Sequence, residues 1–294
     1  MWSRSAPVDG FRLAFDRFGN KGAPPVVLLH GWPGNRHDYR QVVSLLNGAA
    51  DVVVPDLRGF GGSDKHDVAV RHFYSATAQA ASVIGLIREL DLTEVVLAGY
   101  DVGSRVAQSV ARMEPDLVRA LVLSPPLPGA GQRVLTAKAQ GEFWYQAFHQ
   151  LPLAAQLIDG NSDAVRDYLR HFWMHWSGPN FTLTEDDLDR LVADYALPGA
   201  FTASIAWYRA GAGMIAQSLT ELPPERAIKI HVPTDVLWPQ HDPLFPSEWS
   251  DRVAHYFTDV EIHSAFDAGH FTPLECPEQF AELILIRAQP SAGA

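Results

Sequence analysis

The sequence predicts an α/β fold, a mostly parallel sheet flanked by helices and interrupted after its sixth strand by a helical cap. Three observations predict it. Short aliphatic or β-branched runs alternate with segments of helical period, the pattern of strands joined by crossover helices. Of 294 residues, 47% are hydrophobic and 19% charged, enough to bury a substantial core and too apolar for disorder. Between Leu127 and Pro224 the strand-like runs stop. Trp144, Trp173, Trp176 and Trp207 fall in that stretch, with Trp238 just beyond it.

The elements follow in order. Phe11–Phe18, with the turn-rich Gly19–Pro25 after it, reads as an N-terminal antiparallel hairpin arm. Buried strands are predicted at Val26–His30, Asp51–Asp56, Glu94–Tyr100, Arg119–Ser124, Thr234–Pro239 and Val260–Phe266. Helices fit Ser75–Leu90, Gly103–Met113, Ser247–Phe257 and Pro277–Ala288, each starting near a turn or capping residue and carrying an apolar stripe. In the cap, Ser162–Trp176 and Thr184–Tyr195 read as helical, and Thr184 with Asp187 three residues on is close to a capping box. The expected division is a core of residues 1–126 and 225–294 around a cap of residues 127–224. Gln289–Ala294 is expected to fray.

Composition narrows the function classes. A net charge of -11 repels nucleic acid from the average surface. The single cysteine, Cys276, excludes an internal disulfide and a cysteine-based zinc site. The longest aliphatic runs, Val26–Leu29 and Leu283–Ile286, are far short of a bilayer span, and Met1–Gly19 lacks the apolar region of a signal peptide. A soluble, acidic, cytoplasmic protein is expected.

Three strand ends carry the chemistry. Leu97–Arg105 is an apolar strand, a Gly99-Tyr-Asp101-Val-Gly103 turn and a helix, the nucleophile-elbow pattern with Asp in place of Ser. Val236–Pro243 runs into a loop bearing Asp242, and Phe266–Phe271 ends in Gly269-His270. A lone Asp or His at a strand end is ordinarily a turn cap. All three together, in the order nucleophile, acid, histidine, follow the chain order of α/β-hydrolases. In that architecture the loop His30-Gly-Trp32-Pro-Gly34 delivers one backbone N–H to an oxyanion hole and the residue after the nucleophile delivers another, here Trp32 and Val102. His30 itself reads as a structural hydrogen-bonding residue.

Over nearly its whole length the chain resembles an α/β-hydrolase-fold epoxide hydrolase of the soluble bacterial type. His30-Gly-Trp-Pro33 matches that family's H-G-x-P motif, Val54–Ser63 its turn after the fourth strand, and Gly99–Gly103 its Asp elbow. Phe143–Gln150 and Trp207–Ala210 resemble the segments bearing its two ring-opening tyrosines, which places those roles on Tyr145 and Tyr208. The resemblance implies an eight-stranded, mostly parallel sheet and catalysis without cofactor or metal. The departures are Tyr100, where a His is common, and Ser104 and Arg105, and they bear on substrate preference.

The nucleophile restricts the reaction. A serine attacking an sp³ carbon would leave an ether, whereas a carboxylate leaves an ester that His-activated water can cleave. Asp101 therefore points to alkyl transfer followed by hydrolysis, with Asp242 orienting His270. An epoxide oxygen leaving as alkoxide needs a proton donor, which two phenols would supply. A halide needs N–H donors or cations. Haloalkane dehalogenases typically place Trp directly after the nucleophile, where this chain has Val102. Fluoroacetate dehalogenases share an Arg at the position of Arg105, but carry a second Arg at the Val102 position and a His-Trp pair where Tyr145-Gln146 stands. Arg105 alone reads more simply as an ion-pair residue.

Two other patterns lack the residues their chemistry would need. His171 and His175 share a helix face but lack a third ligand nearby in sequence. Gly59-Phe-Gly-Gly62 lacks the downstream residues of a phosphate-binding loop. The aromatic cap suits a small apolar epoxide as partner, with water, and with no nucleic acid or membrane. A dehalogenase on the same three residues is the alternative, and a catalytically silent binder of a small ligand is a third reading. Oligomeric state is left open, a homo-oligomer included.

Overall fold

The computed structural model describes residues 2–211 and 215–289. Eight strands form one sheet: β1 (Ser3–Arg4), β2 (Ala14–Gly19), β3 (Pro25–Leu29), β4 (Asp51–Pro55), β5 (Val95–Gly99), β6 (Val118–Leu123), β7 (Thr234–Pro239) and β8 (Val260–Ala265). Their spatial order is β1-β2-β4-β3-β5-β6-β7-β8. β2 runs antiparallel to β1 and β4, and the rest of the sheet is parallel. The expected fold class is the observed one.

The parallel strands are apolar throughout because helices cover both faces, leaving no solvated side for an alternating pattern. Val26–Leu29, Val52–Val54 and Val95–Ala98 are essentially fully enclosed. At the edge, β8 exposes Glu261 and Ile262. The capping residues behave as their chemistry requires. Ser75 Oγ accepts from Ala78 N, and Thr184 Oγ1 accepts from Asp187 N while donating to the Asp187 carboxylate.

Two elements differ from expectation. The N-terminal arm begins as strand only at Ala14, and its hairpin partner is the upstream Ser3–Arg4. Phe11 leaves the sheet because its ring is buried against Phe73 and Tyr74 in a small separate cluster that includes Ala206. The segment from Ser247 winds as a 3₁₀ helix ending at His255, with Trp249 and Val253 as its buried side chains.

Between β6 and β7 the chain is helical. Ser162–Trp176 and Glu185–Tyr195 are its longest helices, accompanied by Ala137–Glu142, Trp144–Gln150, Pro152–Ile158, Ala200–Ser204 and Ala206–Arg209. One hydrophobic cluster runs from the sheet into this segment, so the two share a core. No helix among the described residues is long and apolar enough to cross a membrane.

The connections place the site. β3 is followed by β4 on one side, while β5 adds on the other, so chain direction across the sheet reverses at β3. Loops after the C-terminal ends of β3 and β5 therefore diverge and leave a crevice, the usual binding position in an open α/β sheet.

Candidate active site

Asp101 stands between β5 and the helix Val102–Met113 with φ 49° and ψ -121°, a conformation strained for any residue with a Cβ. Its flanking glycines make the turn feasible. A Cβ on Gly99 would lie 2.6 Å from the Gly103 backbone, and a Cβ on Gly103 would run into the Leu29 carbonyl. Gly103→Ala is therefore expected to destabilise the protein by roughly 2–3 kcal/mol, because the obstacle is backbone with little freedom to move. Thermal unfolding would measure it, and an unchanged melting temperature would show that strand and helix can part.

The loops after β7 and β8 bring the acid and the histidine to the same place. His270 Nδ1 donates to Asp242 Oδ2 at 2.9 Å, and Asp242 Oδ1 accepts from Leu244 N at 2.8 Å. His270 Nε2 stands 3.3 Å from Asp101 Oδ2. The imidazole is fully buried, which disfavours its charge, but the carboxylates of Asp242 and Asp101 outweigh this and push its pKa up to about 10. Both contacts favour the protonated form of the imidazole.

The histidine loop is tied from below and above. Glu275 accepts from the N–H groups of Gly269 and Phe271, on either side of His270, and from Gly178 of the inserted helical segment. His270 N donates to the Trp176 carbonyl at 2.8 Å.

The loop after β3 reaches over Asp101, and Trp32 N donates to Asp101 Oδ1 at 2.8 Å. Val102 opens the helix, so its N–H lies in the first turn, which has no intrahelical acceptor. The inserted helices grip this loop. Trp173 Nε1 donates to the Pro33 carbonyl, Tyr195 Oη to the Gly34 carbonyl, and Asn35 Nδ2 to Asp194. His30 is buried and kept neutral by burial, its Nε2 accepting from Leu57 N and its Nδ1 facing the Gly31 carbonyl. It is the structural residue expected.

Both tyrosines lie over Asp101. The Tyr145 ring stacks on Trp32 at 5.6 Å and 6°, and the Tyr208 ring meets Trp32 edge-on at 5.6 Å. The two phenol rings are 5.5 Å apart and nearly perpendicular. Burial raises the pKa of each phenol well above its ordinary value, and the Asp101 carboxylate adds to the effect, so both remain protonated donors. Asp101, Val102, Tyr145 and Tyr208 line one recess with Phe143, Leu127 and Phe245. The recess thus receives a carboxylate and two phenols, with His270 and the Trp32 N–H against the two oxygens of that carboxylate.

A model of the α/β-hydrolase fold matches residues 24–277. The chain belongs to the α/β-hydrolase-fold family. Among its relatives, the soluble epoxide hydrolase of Corynebacterium sp. (strain C12) is 27% identical, over 93% of this chain and 92% of that one. A haloalkane dehalogenase of Bradyrhizobium diazoefficiens is 31% identical over a shorter stretch, 58% of this chain and 49% of that one. A solved ligand-free epoxide hydrolase superposes with a TM-score of 0.81 at 26% identity, covering 97% of each chain.

Within this α/β-hydrolase the remaining predicted features separate. Arg105 lines the recess but is paired with Glu221 at 2.7 Å, as the simpler reading expects. His171 and His175 stack on each other, and His175 pairs with Glu142. Tyr100, expected to bear on substrate preference, instead points away from the recess. Its hydroxyl donates to the buried Asp38 at 2.6 Å. Asp38, Glu275 and the contacts of Trp173 and Tyr195 carry no motif, because each acts through a partner distant in sequence. His149 is equally silent in sequence. It is buried against Trp32 and Tyr208, and burial lowers its pKa to about 3, so it packs there as a neutral ring.

Proposed function

We propose that this hydrolase opens an oxirane to a vicinal diol through an alkyl ester on Asp101. The observation that carries the reading is the placement of two buried, protonated phenols over a carboxylate with a histidine behind it. In the first step Asp101 Oδ2 attacks a ring carbon, the ring C–O bond breaks, and Tyr145 or Tyr208 gives its proton to the departing oxygen. Esterification removes one of the two charges that hold the His270 proton. The imidazolium can then restore the phenol and become the neutral base that the second step needs.

In that step His270 takes a proton from water, and the water oxygen bonds to the ester carbon. The Trp32 and Val102 N–H groups hold the oxyanion on Oδ1. Collapse breaks the bond between the acyl carbon and the alkyl oxygen, which takes the proton from His270 and leaves as the diol. The new carboxyl then passes its proton to His270, restoring the resting ion pair held by Asp242. No cofactor or metal enters this sequence. We further propose residues 127–224 as the cap that excludes bulk water, and a cytoplasmic location.

A pH dependence follows with a definite sign. The resting His270 proton is held with a pKa of about 10, so kcat/KM is expected to persist from neutral pH and fall as pH rises through about 10. A high-pH limb near 6.5, the value of an unassisted imidazole, would contradict the ion pair.

The decisive test measures diol and halide together from terminal and aryl epoxides and haloalkanes. Diol without stoichiometric halide is expected. Free halide from haloalkanes with epoxides untouched would move the protein to the dehalogenase reading, which the Bradyrhizobium relative keeps in view and Val102 disfavours.

A further inference from the structure

Tyr100 precedes the nucleophile in sequence, yet its hydroxyl faces the opposite way, into the loop that carries Trp32. It donates to Asp38 Oδ2 at 2.6 Å, and the same oxygen accepts from Asn35 N at 3.1 Å. Tyr100 is fully buried and Asp38 nearly so, and Asp38 makes no ion pair among the described residues. Burial pushes the pKa of the Asp38 carboxyl up to about 7 against the pull of the Tyr100 and Asn35 hydrogen bonds, so the fold keeps this pair buried at a desolvation cost.

The loop is moulded on these two groups. A Cβ on Gly31 would lie 2.8 Å from the Tyr100 ring and 2.6 Å from Asp101 Cβ. A Cβ on Gly34 would run into the Asp38 carboxylate and come within 2.7 Å of the Tyr100 hydroxyl. Gly31 and Gly34 flank Trp32 and Pro33. The loop is therefore laid on the Tyr100 side chain at two points, with the oxyanion donor between them. Tyr39 adds a nearby anchor, its hydroxyl donating to the Leu29 carbonyl at the end of β3.

We infer that Tyr100 and Asp38 form a positioning pair that sets the Trp32 N–H against Asp101 Oδ1, and so controls hydrolysis of the ester more than its formation. The inference rests on the alkyl-ester reading above. Its reason is differential: a carboxylate attacks through Oδ2 with its charge already present, whereas the oxyanion on Oδ1 develops only during hydrolysis. Misplacing the donor therefore weighs on the second step.

The test is Tyr100→Phe, which keeps the ring under the loop and leaves untouched the turn that Asn35 and Asp38 cap reciprocally. Quenched samples of the turning-over protein are weighed intact by mass spectrometry. Single-turnover adduct formation is measured separately in a His270→Gln background. Hydrolysis is expected to slow about tenfold, with the alkylated fraction rising at steady state and adduct formation changing less than about twofold. Asp38→Asn should shift the partition the same way, and the double variant should do no more than either single change.

Equal slowing of both steps, or no shift in the alkylated fraction, would overturn the inference and leave the pair a packing contact. Additive effects in the double variant would do the same. If His270→Gln alone forms no adduct, it is the alkyl-ester reading that fails.

Discussion

In His270→Gln, an epoxide substrate is expected to alkylate the protein once and then stop, raising its intact mass by the mass of the substrate. Asp101 is placed by its own turn between Gly99 and Gly103, without help from His270, so the carboxylate remains aimed when the imidazole is gone. Water, by contrast, would have His270 Nε2 as its base in the proposed mechanism, the ring being oriented through the Nδ1 bond to Asp242. Losing a general base slows a step by roughly 10²–10⁴-fold, and ester hydrolysis should fall within that range while ring opening continues. Asp101→Ala is the control and should form no adduct. A His270→Gln protein that still turns over freely, or an Asp101→Ala protein that acquires the substrate's mass, would remove the covalent mechanism.

The double variant Tyr145→Phe/Tyr208→Phe is expected to lose at least about 10³-fold in ring opening, while either single change costs about 10–100-fold. Phenylalanine preserves the ring contacts with Trp32, so the cage around Asp101 should keep its shape and only the donors disappear. Each phenol can cover for the other because both face the same recess. Adduct formation from an epoxide in the His270→Gln background measures the step directly. Unchanged rates in the double variant would make both tyrosines packing residues, and the search for the activity would turn to halides.

Much of this was legible in the chain because parallel sheets write themselves locally. β3, β5 and β7 are short aliphatic runs, and in this fold the chemistry sits where such runs end. Asp101, Asp242 and His270 could be read from the few residues around each of them, and the structure brings all three within hydrogen-bonding or ion-pair distance. Phe11 falls outside the sheet because it bridges to Val8 and its ring joins a separate cluster with Tyr74 and Ala206, contacts that the segment's own residues do not state. The short helices around Tyr145 and Tyr208 were not individually visible either, since four- to seven-residue helices depend on tertiary contacts for their stability.

The local turn at Asp101 was determined by sequence, because glycines at 99 and 103 are what permit that backbone to bend. So were the kinds of group available for chemistry: a carboxylate at the elbow, a second acid, a histidine and candidate phenols. Only the tertiary structure decided their electrostatics and support. The His270 pKa near 10 requires two carboxylates from other strand ends at its two nitrogens. The Tyr100–Asp38 bond joins residues 62 positions apart, and the Tyr195 bond to Gly34 joins residues 161 apart. Hydrogen bonds and desolvation depend on distances in space, and a chain states those only once it has folded.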